Sequence, residues 1–157
     1  MKFQILSVLV FSLLFYACGH TDCCGPMIPS LNSYQVDTIS KTVIGSRTYS
    51  TDSSFTLVFS EAQGCNLCPE ISVVFMKRPI SNKPYLVEDL VSSPDQVSIR
   101  GMDRVNPALN FHTIYSETSA TVVIEDGKLH IISMGVPIQF YNSARANGYL
   151  SLNLKEF

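Results

Sequence analysis

One hairpin constrains this chain more than any other feature. Residues 122–132 read Val-Val-Ile-Glu-Asp-Gly-Lys-Leu-His-Ile-Ile. Asp-Gly between alternating apolar runs favours a two-residue turn, because both residues tolerate positive φ. Such a turn sets the register. Glu125 falls opposite Lys128, Ile124 opposite Leu129, and Val122 opposite Ile131. The face carrying Val122, Ile124, Leu129 and Ile131 is then wholly apolar and must be covered. On the other face, Glu125 and Lys128 are expected to form a charge pair.

A covered sheet face needs further strands, and the same period of two recurs along the chain. Phe55, Leu57 and Phe59 share one face, as do Ile71, Val73 and Phe75. Val97 and Ile99 follow, then Phe111, Thr113 and Tyr115, then Val136, Ile138 and Phe140. Leu150, Leu152 and Leu154 alternate with Ser151, Asn153 and Lys155. Helical character is confined to Tyr85–Val91, and Pro79, Pro84, Pro94 and Pro107 interrupt the middle of the chain. The expected class is all-β: an antiparallel β-sandwich, Ig-like in general architecture, with a small β-barrel as the alternative.

The N-terminus carries different information. Met1-Lys2 precedes an apolar run from Phe3 to Tyr16, interrupted by Gln4, Ser7 and Ser12. One positive charge followed by a short apolar core is the pattern of a secretory signal, and the run is short of the roughly 20 residues a spanning helix needs. It ends at Ala17-Cys18-Gly19. This segment resembles the lipobox of bacterial lipoprotein precursors. The resemblance implies cleavage before Cys18, lipid on its sulfur and an acyl chain on its new amino group. It also implies a bacterial cell-envelope location, anchored to a membrane through that lipid. Gly19, with no acidic neighbour, points to the outer membrane. Cleavage at another bond, and an uncleaved anchor, are the alternatives. The expected organisation is a signal peptide over 1–17, a lipid-anchored tether over 18–33, and one β-rich domain over 34–157.

Four further cysteines remain: Cys23, Cys24, Cys65 and Cys68. An even number in an oxidising compartment reads first as disulfides, within Cys65/Cys68 or from that pair to Cys23 or Cys24. Cys65-Asn66-Leu67-Cys68 after the apolar run Leu57-Val58-Phe59 also resembles the active site of thioredoxin-like proteins, and Gly135-Val136-Pro137 resembles that family's cis-proline loop. The resemblance implies that Cys65 is a nucleophile and Cys68 its resolving thiol. That family needs a helix after the motif to lower the thiol pKa, whereas Ile71–Phe75 has strand propensity. A thiolate metal site using Cys65, Cys68 and Cys23, Cys24 or His20 matches in residue type. Adjacent Cys23 and Cys24 are poorly arranged for it, so no metal is expected.

Other side chains offer less chemistry. His112 and His130 fall on expected strands and read as surface or loosely packed histidines. Glu88-Asp89 diverge in either a helix or a strand and make no acid/base pair. There is no GxSxG, HExxH or phosphate-binding loop. Lys and Arg number 11 against 13 Asp and Glu, so there is no basic footprint for nucleic acid. The absence of Trp weighs against a stacking platform for sugars. Tyr34, Tyr49, Tyr85, Tyr115, Tyr141 and Tyr149 are scattered and suit packing or a binding surface equally. The expectation is a non-enzymatic binding or structural module without a cofactor, whose partner is a protein or a small ligand. The alternatives are a thiol–disulfide protein and a lipocalin-like carrier with an unfilled barrel.

Overall fold

A computed structural model describes residues 27–62, 65, 67–141 and 147–157. Eleven strands carry the chain: β1 (Ser33–Val36), β2 (Ile39–Thr42), β3 (Gly45–Ser50), β4 (Phe55–Ser60), β5 (Glu70–Phe75) and β6 (Lys83–Val87). They continue with β7 (Gln96–Met102), β8 (Phe111–Thr113), β9 (Ser119–Glu125), β10 (Lys128–Phe140) and β11 (Asn147–Lys155). The described residues include one short 3-10 turn, Pro107–Leu109, and no α-helix. The protein is all-β, as its alternation requires. Tyr85–Val91 is not helical: Tyr85 to Val87 complete β6, where Tyr85 and Val87 are buried and Leu86 is exposed.

Hydrogen bonding unites all eleven strands in one mixed sheet, ordered β2-β1-β11-β10-β9-β6-β7-β5-β4-β3. The β6–β7 pair is parallel and the other pairs are antiparallel. β8 pairs with both β10 and β7, so hydrogen bonds close a ring through β10, β9, β6, β7 and β8. The apolar alternations named above point inward, with the exception of Tyr115. Leu57, Phe59, Ile71, Val73, Phe75, Ile99, Ile138 and Leu150 are wholly buried in one cluster. Tyr115, the last of its alternating series, lies beyond β8 and is 69% exposed.

The hairpin register is the one that the Asp-Gly turn dictates: Glu125 opposite Lys128, Ile124 opposite Leu129, Val122 opposite Ile131. Asp126 and Gly127 both have positive φ, 54° and 77°. The expected Glu125–Lys128 ion pair does not form. Glu125 instead binds Lys155 of β11 and lies 3.6 Å from His130 Nδ1. A third strand beside β10 offers Glu125 a second cation, which a two-strand reading omits.

The ring leaves a gap that needs side chains. Along one edge of β7, β6 pairs with Gln96 and Val97, and β8 pairs with Arg100 and Gly101. Ser98 and Ile99 lie between. The Ile99 N–H donates to Thr113 Oγ1 at 3.0 Å, and that hydroxyl donates onward to the Glu88 carbonyl at 2.7 Å. Ser98 Oγ donates to the Asp89 carbonyl at 2.8 Å. A buried N–H left unpaired costs about 1–3 kcal/mol, so Thr113 is required where a ladder partner is missing. Next to it, the Phe111 ring covers Gly101. A Cβ there would come within 2.1 Å of the ring, so this cross-strand partner must be glycine.

β10 serves both ends of the ring because it is bulged. Its register shifts between Ser133 and Val136, with Gly135 at φ 62° and its N–H donating to Ser151 Oγ at 3.1 Å. The bulge re-aims the strand from β9 toward β8. Gly135-Val136-Pro137 is therefore the continuation of β10 with trans peptides, and not a cis-proline loop. At the expected tether's end, Asn153 Nδ2 donates to the Pro29 carbonyl at 2.9 Å, and Asn32 Oδ1 accepts from Lys155 N–H at 3.0 Å. These bonds lay Pro29–Ser33 along β11.

Candidate functional site

The cysteine pair singled out in the sequence lies in the loop joining β4 to β5. Cys65 and Cys68 are disulfide-bonded, with Cα atoms 5.5 Å apart. Glu61 N–H donates to the Pro69 carbonyl at 3.3 Å and closes the neck of this loop. Both cysteines are half-buried, and Leu67 between them is exposed. Pro69 leads directly into β5. No helix follows the motif, so the N-terminal dipole that would activate a thiolate is not supplied there. Cys18, Cys23 and Cys24 lie outside the described residues, as does His20.

The first hairpin is clamped to this loop. Tyr34 Oη donates to Glu61 Oε1 at 2.8 Å, and Lys41 Nζ lies 3.2 Å from Glu61 Oε2. Burial, reinforced by the Glu61 carboxylate, raises the Tyr34 phenol well above its ordinary value, so it stays a donor. Beneath the clamp is a pit of about 40 Å³, lined by Tyr34, Val36, Pro69, Gly101, Met102 and Phe111. It has room for little more than a water.

A larger concavity lies across Met102, on the outer face of the sheet. It measures about 430 Å³ and is lined by Thr56, Ser72, Val74, Arg100, Asn110 and Tyr141, with Gly101 and Met102 at its border. Sheet register explains the convergence. Ser72 of β5, Arg100 of β7, His112 of β8 and Gln139 of β10 are successive cross-strand partners, so they form one row. Their inward-pointing neighbours form the core, which leaves this row facing outward.

The wall of the groove is aromatic. Tyr141 stacks on His112 with ring centroids 4.5 Å apart and planes inclined at 29°. His112 Nε2 is 3.8 Å from Asp89 Oδ1, and its buried Nδ1 has no hydrogen-bond partner among the described residues. His112 is thus a half-buried histidine under a tyrosine. His130 belongs elsewhere: its Nε2 is 2.6 Å from Asn153 Oδ1 on the β10–β11 face. The two histidines and the cystine do not form one site.

Arg100 belongs with Lys77, Arg104 and Lys128, the described cations that no carboxylate holds, and of these it alone lines the concavity. Lys41, Arg47, Arg78, Lys83 and Lys155 each hold a carboxylate. Arg100 is exposed in mid-strand and has no hydrogen bond or ion pair among the described residues. Sequence reading missed it because it stands in no motif; its neighbours come from β4, β5 and the β10 end, distant in sequence. Among the described residues no group of three or more His, Cys, Asp and Glu is placed to hold a metal. None of their helices is long and apolar enough to cross a membrane. Compared with protein-family models, with curated proteins and with solved structures, the chain matches none.

Proposed function

We propose that this chain is an exported lipoprotein of the bacterial cell envelope, anchored through Cys18, whose β-domain is a non-enzymatic binding or structural module. The observation that carries the reading is the Cys65–Cys68 cystine inside a β-hairpin loop. Disulfides persist in oxidising compartments, which agrees with export. Strands on both sides of the pair suit a staple closing a turn better than an activated thiol. The signal-like run ending at Cys18 adds the anchor. Several buried acyl chains hold a protein at a membrane where one would not, at about 0.8 kcal/mol per methylene.

The test is acylation in a bacterial host. The full chain, grown with an alkyne fatty acid, is expected to take up label and stay with membranes. Cys18→Ser is expected to lose both properties. Label retained in Cys18→Ser refutes the anchor. The competing reading, a thiol–disulfide protein, draws on the partial exposure of the cystine. It requires turnover of a disulfide substrate that disappears in Cys65→Ser while the domain stays folded.

A further inference from the structure

We infer that the groove on the outer face of β4, β5 and β7 is a binding site for a small hydroxylated carboxylate, anchored on Arg100 and stacked against Tyr141. This rests on reading the domain as a binding module and names the ligand class that module would take.

Charge comes first. A guanidinium with no acceptor of its own, set among neighbours that fix its backbone, presents a planar fork matched to a carboxylate. Arg100 is such a group, in mid-strand between Ser72 and His112. Arg47 further along the sheet resembles it but is already held by Glu70 at 2.6 Å and by Tyr49. Among the described residues, Lys77, Arg104 and Lys128 also lack an ion pair, but only Arg100 is in the lining of this concavity.

Shape and hydrogen bonding define the rest of the ligand. A volume of about 430 Å³ lies at the lower end of the range of small-molecule sites, about 300–1,000 Å³. Thr56 and Ser72 bring hydroxyls that donate or accept. Asn110 accepts the Asp103 N–H through Oδ1, which leaves its NH₂ group to donate. Val74, Met102 and the exposed face of Tyr141 supply apolar contact. Tyr141 is held in place by His112 stacking and by its own N–H donating to the Asn110 carbonyl at 3.0 Å. A flat ring braced on one side and open on the other takes the role that a tryptophan has in stacking platforms. A cation, hydroxyl partners and a flat apolar wall together suit a compact acid bearing hydroxyls, of which an acidic sugar is the simplest case.

The probe is D-glucuronate, with D-glucose as the neutral control, added to the full chain in detergent. Arginine Nε–H resonances and backbone amides are followed by NMR. Glucuronate is expected to shift Arg100 and the Tyr141 backbone amide saturably, with a Kd near or below about 1 mM, and glucose at least about tenfold more weakly. Arg100→Gln is expected to weaken glucuronate by about tenfold or more, and Tyr141→Ala to weaken both sugars in parallel. Equal response to the two sugars, an unchanged affinity in Arg100→Gln, or no response at the groove overturns the inference. Acylation at Cys18 is read separately. A silent groove on an acylated protein defeats the ligand assignment, and an unacylated protein with a working groove defeats the anchor.

Discussion

Replacing Thr113 by valine isolates the role of one hydroxyl, because volume and branching are kept while two hydrogen bonds are lost. The side chain is wholly buried. It accepts from the Ile99 N–H at 3.0 Å and donates to the Glu88 carbonyl at 2.7 Å. The Ile99 N–H lies in the gap between β6 and β8, where no strand replaces the lost acceptor. An orphaned buried donor costs about 1–3 kcal/mol, and the second lost bond adds to it, so Thr113→Val is expected to cost about 2–3 kcal/mol. Thr113→Ser keeps the hydroxyl and loses one methyl, which costs about 1 kcal/mol. Urea unfolding distinguishes them. With slopes of about 1–3 kcal/mol per molar, the valine midpoint should fall by about 1–2 M at unchanged slope, and the serine midpoint by less. If valine proves as stable as wild type, or more stable than serine, the claim that side chains complete the sheet at this seam is wrong.

Three further outcomes follow from the same geometry. Gly101→Ala is expected to displace Phe111, lowering the thermal midpoint and shifting the near-ultraviolet signal of the Phe111–Phe140 contact; an unchanged spectrum would show that the ring can move freely. For Glu156, burial pushes the carboxyl up, but the Arg78 guanidinium and the Leu129 N–H outweigh it and hold it below its ordinary value. A depressed folded pKa contributes stability above the unfolded value, about 4.3, that is lost as pH falls through the folded one; Glu156→Gln should therefore flatten the acid limb of a stability–pH curve below about pH 4.3. Removing the cystine by the double change Cys65→Ser and Cys68→Ser releases a loop of four residues, which chain entropy values at no more than about 2 kcal/mol. The double variant is expected to remain folded by circular dichroism, and global unfolding would give the cystine a larger structural part.

Much of the fold was legible because the apolar alternation has a period of two and the turn chemistry is local. The Asp126-Gly127 dipeptide specified three cross-strand pairs, and all three are present. The alternating series of β4, β5, β7, β10 and β11 face inward as read. What escaped depends on strands remote in sequence. Glu125 chose Lys155 over Lys128 because β11 runs beside β10. Val87-Glu88-Asp89-Leu90 has helix-forming residues, yet tertiary pairing takes Val87 into β6, and the Glu88 and Asp89 carbonyls accept from Thr113 and Ser98. Val136, Ile138 and Phe140 were read as a strand, and Pro137 sits within it because its missing N–H is tolerated beyond the bulge, where its carbonyl accepts from Ile114 N–H. Of the candidate site, the sequence singled out Cys65 and Cys68 but left open whether they bond to each other or to Cys23 or Cys24; the bond is Cys65–Cys68. The Arg100 groove was not legible, since Thr56, Ser72, Arg100 and Tyr141 converge only through sheet register.

The central claim is that Cys18 becomes the lipid-bearing first residue of a protein that displays this β-domain at the envelope. Intact-mass spectrometry of full chain expressed in a bacterial host and recovered from membranes reads it directly. Loss of residues 1–17 and a mass increase at Cys18 matching diacylglycerol plus an amide-linked acyl chain are expected. A mass retaining Met1–Ala17, or a mature chain whose Cys18 reacts as a free thiol, contradicts the claim.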